Sequence, residues 1–265
     1  MLKHKLIIKL LIVIVLLTGS SASAQLDGLL QKAKDKAGEV IEKEANNKRS
    51  TASLKNPART ISAPSNFHQG DTLIFDENFS KYNTGATAGS FKTNGAAIVA
   101  SVEQQKGKWM VLQDKATFKF SKALKYPKRF TVEFDILALG DKITDISPLS
   151  FGFATDNSAS EYTSNAGSYV ELHYYDANMV NIGSSNPQKF VNTTYDLAQD
   201  LNQPLHVALF IDKDTMTVYL NNTKLADTVL FSPGAAKNFF ITAPWQYKNE
   251  AKVLVSNFKI SAFRN

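Results

Sequence analysis

The chain has 265 residues, with 30 Lys and Arg against 24 Asp and Glu, and it contains no cysteine, which excludes disulfide scaffolds, thiolate zinc sites, cysteine nucleophiles and a lipid-modified N-terminal cysteine. The formal charge of +6 is local: residues 1–24 hold three lysines, residues 25–66 hold eight basic and five acidic residues, and residues 67–265 hold nineteen of each. A nucleic-acid-binding domain carries a basic field on its folded part, so nucleic acid is not an expected partner.

Residues 1–24 read as a secretory signal. Lys3 and Lys5 make a basic start, Leu6 to Leu17 is an apolar run broken only by Lys9, and Ala22 and Ala24 supply the small-x-small cleavage pattern. The run of 12 residues is short against the roughly 20 that span a bilayer as a helix. Cleavage before Gln25 is expected, with no transmembrane span afterwards and export across the inner membrane. The product would be periplasmic, outer-membrane-associated or secreted.

Residues 25–46 read as an amphipathic helical spacer, with the helix over 27–45. Asp27 can cap its first turn. Leu26, Leu29, Leu30, Ala33, Ala37, Val40 and Ile41 recur at three- and four-residue spacing on one face. Such a helix is marginal alone. Its default is a solvated spacer, and its functional alternative is docking on a protein partner, a second copy or the membrane surface. Residues 47–66 are polar, with Pro57 and Pro64, and read as a linker.

From residue 67 to 265 the pattern changes to short alternating segments punctuated by Gly, Asn, Asp and Pro. Strands are expected at 72–76, 96–103, 108–113, 115–120, 129–138, 148–154, 167–175, 178–183, 204–212, 214–220, 238–243 and 251–262. Over 129–138, Val132, Phe134, Ile136 and Ala138 point one way and Thr131, Glu133 and Asp135 the other. Over 205–212, Val207, Leu209 and Ile211 alternate with His206, Ala208 and Phe210. Asp212-Lys213-Asp214 and Asn221-Asn222 read as the turns of an antiparallel meander. So many short strands without a helical period indicate an all-β sandwich or barrel.

Four stretches carry a family resemblance: Asp71-Thr-Leu-Ile-Phe-Asp-Glu-Asn-Phe-Ser80, Phe130-Thr-Val-Glu-Phe-Asp135, Val218-Tyr-Leu-Asn-Asn222 and Val255-Ser-Asn-Phe-Lys-Ile260. Residues 67–265 resemble the laminin-G-like, concanavalin-A-like jelly rolls, in particular a module of Bacteroidetes envelope proteins. The resemblance implies a two-sheet antiparallel jelly-roll sandwich whose first and last strands, 72–79 and 251–262, pair. In similar envelope proteins an outer-membrane-protein-A-type domain often follows; the sequence stops at Asn265, so peptidoglycan anchoring by that route is not expected. Relatives of this fold bind glycans, bind proteins, or cleave polysaccharides.

The residues themselves offer two constellations. Glu133 and Asp135 share one strand face, and retaining glycosidases need two carboxyl groups about 5–5.5 Å apart. The similar family-16 glycosidases use glu-x-asp-x-x-glu, whose third position here is Ala138, so no catalytic residue is assigned. Tyr169, Glu171, His173 and Tyr175 alternate onto one face, with Val170, Leu172 and Tyr174 on the other. Aromatic rings beside a carboxylate and an imidazole suit a sugar. If that strand neighbours Glu133 and Asp135, the two groups form one groove. Trp245 is a further loop platform or an end plug of the sandwich, and Trp109 is expected in the core.

His68, His173 and His206 lack zinc spacing. The resemblance implies a structural calcium ion, with Asp76, Glu77 and Asn78 as oxygen donors and Asp145, Asp156 and Asn157 as further loop oxygens; none has EF-hand spacing. The expected function is non-catalytic recognition of glycan or cell-envelope material. The alternatives are a polysaccharide hydrolase or lyase and a structural envelope protein.

Overall fold

The structure is a computed structural model, and it describes residues 67–159, 167–176 and 178–264. The signal segment, the 27–45 helix and the 47–66 linker lie outside the described residues.

Fifteen strands form two antiparallel sheets. In chain order they are β1 (Thr72–Glu77), β2 (Phe91–Thr93), β3 (Ala97–Ala100), β4 (Trp109–Leu112), β5 (Thr117–Phe120), β6 (Arg129–Leu139), β7 (Leu149–Ala154) and β8 (Gly167–His173). There follow β9 (Met179–Ser185), β10 (Gln188–Thr194), β11 (Pro204–Asp212), β12 (Thr215–Leu220), β13 (Thr223–Val229), β14 (Asn238–Thr242) and β15 (Lys252–Ala262). One sheet has eight strands in the order β13-β12-β11-β6-β15-β4-β3, with β1 also on β15. The other has seven, β10-β9-β8-β7-β14-β5-β2.

The alternation read from the sequence decides which face each strand buries. Val132, Phe134, Ile136 and Ala138 of β6 and Val207, Leu209 and Ile211 of β11 are buried between the sheets. Val170 and Leu172 of β8 and Tyr174 just beyond it face the same core. Aromatic rings tie the sheets together. Phe134 stacks on Phe258 with centroids 5.2 Å apart, and Phe258 also meets Phe91, Phe120 and Phe239 of the opposite sheet. Each such buried ring contributes roughly 1.5–3 kcal/mol through burial.

The expected terminal pair is present: Thr72 faces Ala262 and Glu77 faces Phe258. The meander is present too, its turns made by Lys213, Asn221 and Asn222 in the left-handed region at φ 54°, 41° and 67°. Asn tolerates that region better than most residues.

Three strands were not expected. β2 has only three residues. β10 (QKFVNTT) and β13 (TKLADTV) end their sheets and are largely exposed, so they need no apolar alternation. The 167–175 segment leaves the ladder after His173, so Tyr175 lies in a turn. Trp109 is buried, but outside the main core. With Leu137 and Leu254 it forms a small cluster on the outer face of the eight-stranded sheet.

Candidate functional site

The two constellations lie on different sheets. β6, with Glu133 and Asp135, belongs to the eight-stranded sheet, and β8, with Tyr169, Glu171 and His173, to the seven-stranded one. The single groove joining them does not form. Alternation within a strand is readable from sequence, but which strands pair is decided by contacts far along the chain.

On the seven-stranded sheet, strand register builds two rows across the outer face. One runs Thr117, Thr242, Ser150, Glu171, Asn181, Asn192 from β5 to β10. All six are polar. The next runs Lys119, Phe240, Gly152, Tyr169, Gly183, Phe190. The β5–β14–β7 part of these rows is buried, so the accessible part is β8 to β10.

Tyr169 has a glycine on each side in its row. Its ring lies over Gly183, where an added Cβ would come within 2.6 Å of the Tyr169 hydroxyl oxygen. Phe190, beyond that glycine, is 62% exposed. The Tyr169 phenol is held above its ordinary pKa by partial burial first and the Glu171 charge second. Neither glycine nor Phe190 figured among the expected site residues, since their partnership exists only once β8, β9 and β10 are in register.

Glu171 and His173 are locked together. His173 Nε2 lies 2.7 Å from Glu171 Oε2 and 2.9 Å from the Asn181 side-chain amide, and Ser150 Oγ donates to Glu171 Oε1 at 3.4 Å. A carboxylate beside Nε2 calls for the proton on that nitrogen, which then donates to Glu171. His173 Nδ1 is buried without a hydrogen-bond partner.

At the end of β8 the surface continues. The Tyr175 ring lies 5.8 Å from that of His173 and is half exposed. It borders a cavity of about 460 Å³ lined by Thr144, Asp145, Ser147, Trp245, Gln246 and Lys248, among others. Trp245 is exposed, with the Lys115 ammonium 4.8 Å from its ring centroid. It is therefore a loop aromatic at a cavity, not an end plug. Of the expected ligand residues, Tyr169, Glu171, His173, Tyr175 and Trp245 fall on this side of the molecule.

Glu133 and Asp135 sit in a separate polar cavity of about 450 Å³ with Asp76, Asn78, His206, Asn257 and Lys259. His206 Nδ1 lies 2.7 Å from Asp135 Oδ1 and Nε2 3.5 Å from Glu133 Oε2. Asn257, at φ 55° in a bulge of β15, donates to Asp135 Oδ2 at 2.7 Å. The hydrogen bond to Asp135, then that to Glu133, raise the His206 pKa to about 9 against burial. Ala138, at the third position of the glycosidase pattern, faces the core.

The expected calcium donors do not act as one set. Asp76 and Asn78 line this cavity, but the Glu77 carboxylate turns inward, accepts the Phe79 N–H at 2.9 Å and pairs with Lys81 at 2.8 Å. A period-two strand sends adjacent residues to opposite faces. Lys259, paired in register with both Asp76 and Glu133, and the His206 imidazolium already supply positive charge there, so these residues do not fit a calcium ion. Among the described residues no three His, Asp or Glu side chains are arranged to hold a metal. No helix among them is long and apolar enough to cross a membrane.

No protein-family model matches the sequence, and none of the curated proteins matches it. Solved structures do match. Arcelin-5, a lectin-like defense protein from Phaseolus vulgaris, superposes with a TM-score of 0.53 at 14% identity, over 72% of this chain and 98% of its own. The metal-free exoplasmic/lumenal domain of VIP36 gives 0.52 at 11%, over 66% and 86%. A sialidase gives 0.50 at 18%, over 73% of this chain but only 19% of its own, so this chain spans about a fifth of that protein. These likenesses, with the two-sheet topology, establish the fold: the chain has a concanavalin-A-like, laminin-G-like jelly-roll domain.

Proposed function

We propose that the protein is a non-catalytic carbohydrate-recognition module, reading glycan through the outer face of β8, β9 and β10. One observation carries this. Tyr169 between two glycines and the exposed Phe190 form an aromatic row, and Glu171, His173 and Asn181 form a hydrogen-bonded polar row beside it. A pyranose has just these two kinds of surface, apolar C–H faces for rings and hydroxyls for fixed polar groups. Hydrogen bonding of Glu171 to His173 holds the polar atoms in place before a ligand arrives, which lowers the ordering cost of binding.

The lectin-like structural neighbours support the reading, and the signal-like residues 1–24 support export to where envelope or extracellular glycans lie. The carboxylates that could perform hydrolysis, Glu133 and Asp135, are on the opposite sheet and are engaged by His206 and Asn257.

The test is a glycan array with the purified protein, run beside an assay for released reducing ends. Binding should fall at least tenfold in both Tyr169→Ala and Phe190→Ala, the size of loss for removing an aromatic anchor, with no sugar released. Unchanged binding in both variants would remove this face from consideration. Reducing-end release would instead establish the hydrolase or lyase alternative.

A further inference from the structure

The cavity beyond Tyr175 has features that the β8 rows do not explain. Asp145, in the 3₁₀ turn Ile143–Asp145 after β6, is only 6% exposed. Its Oδ1 accepts from Asn249 at 3.0 Å, and its backbone carbonyl accepts from Lys248 N–H at 2.8 Å. Its Oδ2 is buried and has no hydrogen-bond partner, and Asp145 is one of the residues that line the cavity. A buried carboxylate oxygen without a donor costs free energy and is rare in native proteins. Thr144, Ser147, Gln246 and Lys248 line the same cavity with polar groups, and Tyr175 and Trp245 stand at it as exposed rings.

The cavity is held open by structure, not by chance loop placement. Ile146 bridges to Tyr247, and Ser147 N–H donates to Gln246 O at 3.1 Å. These contacts tie the loop after β6 to the loop after β14. Its size falls within the roughly 300–1,000 Å³ of small-molecule sites.

The cavity is also continuous with the β8 rows through the His173–Tyr175 ring contact. From Phe190 to Tyr169 is two strand spacings, roughly 10 Å, and from Tyr169 to His173 is roughly 13 Å along β8. The cavity extends the surface further. One sugar ring cannot touch both ends.

Resting on the glycan reading above, we propose that the ligand is an oligosaccharide chain. One stretch lies on the Tyr169–Phe190 row and a further unit enters the Tyr175–Trp245 cavity, where a hydroxyl donates to Asp145 Oδ2. The cavity is then a distinct subsite that selects for chain length and not for a terminal monosaccharide.

The experiment is calorimetric titration with cello-, xylo-, manno-, malto- and chito-oligosaccharides of one to six units. In the series that binds, affinity should rise at least tenfold between the single unit and the longer chains. In Trp245→Ala and in Asp145→Asn the ratio of hexasaccharide to monosaccharide affinity should fall to near one. Trp245 is exposed, so its variant tests the cavity even where Asp145→Asn does not fold. Affinity independent of length, or a ratio unchanged in Trp245→Ala, overturns the chain-length proposal while leaving glycan recognition standing. Absence of binding to every series overturns both.

Discussion

At the scale of single residues, His206 shows how one side chain links strands and pH. It bridges Asp135 and Glu133 of β6 from its place on β11, and this raises its pKa to about 9 from the usual 6.5. A raised histidine contributes stability that is fully present below about pH 6.5 and is lost as pH climbs through about 9. The ring is 42% exposed, so after solvent screening the contribution is about 1 kcal/mol. Urea midpoints at pH 6 and pH 9.5 should therefore converge in His206→Gln and differ in the unaltered protein. Equal pH dependence in both would show that the bridge contributes nothing. The face that His206 shares with Ala208 and Phe210 was legible from alternation. The carboxylates it would meet were not, because residues 135 and 206 come together only through pairing of β6 with β11.

At the scale of elements, the seven-stranded sheet depends on its glycines. An added Cβ at Gly152 would come within 2.1 Å of the Ser168 carbonyl oxygen and 2.8 Å of the Tyr169 Cα, both backbone atoms of the neighbouring strand. Backbone cannot move aside as a side-chain tip can. Gly152→Ala should destabilise the protein by roughly 3 kcal/mol, read as a drop in thermal midpoint, and should loosen Tyr169. An unchanged midpoint would mean that β7 and β8 are not as close as described. The inner strands announced themselves through alternating apolar residues, and the Asn221-Asn222 turn through its residue types. β10 and β13 did not, because an edge strand with both faces near solvent leaves no hydrophobic signature. Phe190 was overlooked for the same reason. It belongs to a strand that is visible only beside β9.

At the scale of the whole sandwich, the last strand organises its sheet. β15 pairs with β6 along one side and with β4 and β1 along the other. Ending the chain before residue 252 would remove the centre of the eight-stranded sheet and expose Phe134 and the rings packed on Phe258. Such a chain should lose its cooperative unfolding transition, measured by circular dichroism; a retained sharp transition would contradict this. The pairings of β5 with β14 and β6 with β15 join residues more than a hundred positions apart, so folding should be slow, on the order of milliseconds to seconds. The resemblance in four short stretches carried the architecture because they include both partners of the terminal pair. It did not carry the site, which is assembled by the order of strands within the second sheet.

The terminal pair has a mechanical consequence. Thr72 opens β1 and Ala262 closes β15, and the two face each other across the ladder. Tension between a tethered N-terminal segment and the C-terminus would load one backbone pair at a time, like a zipper pulled from its open end. The strands would part at low force, beginning at the rim and peeling toward Glu77 and Phe258. A load applied between the outer face of β8, β9 and β10 and the rest of the sandwich would spare that seam.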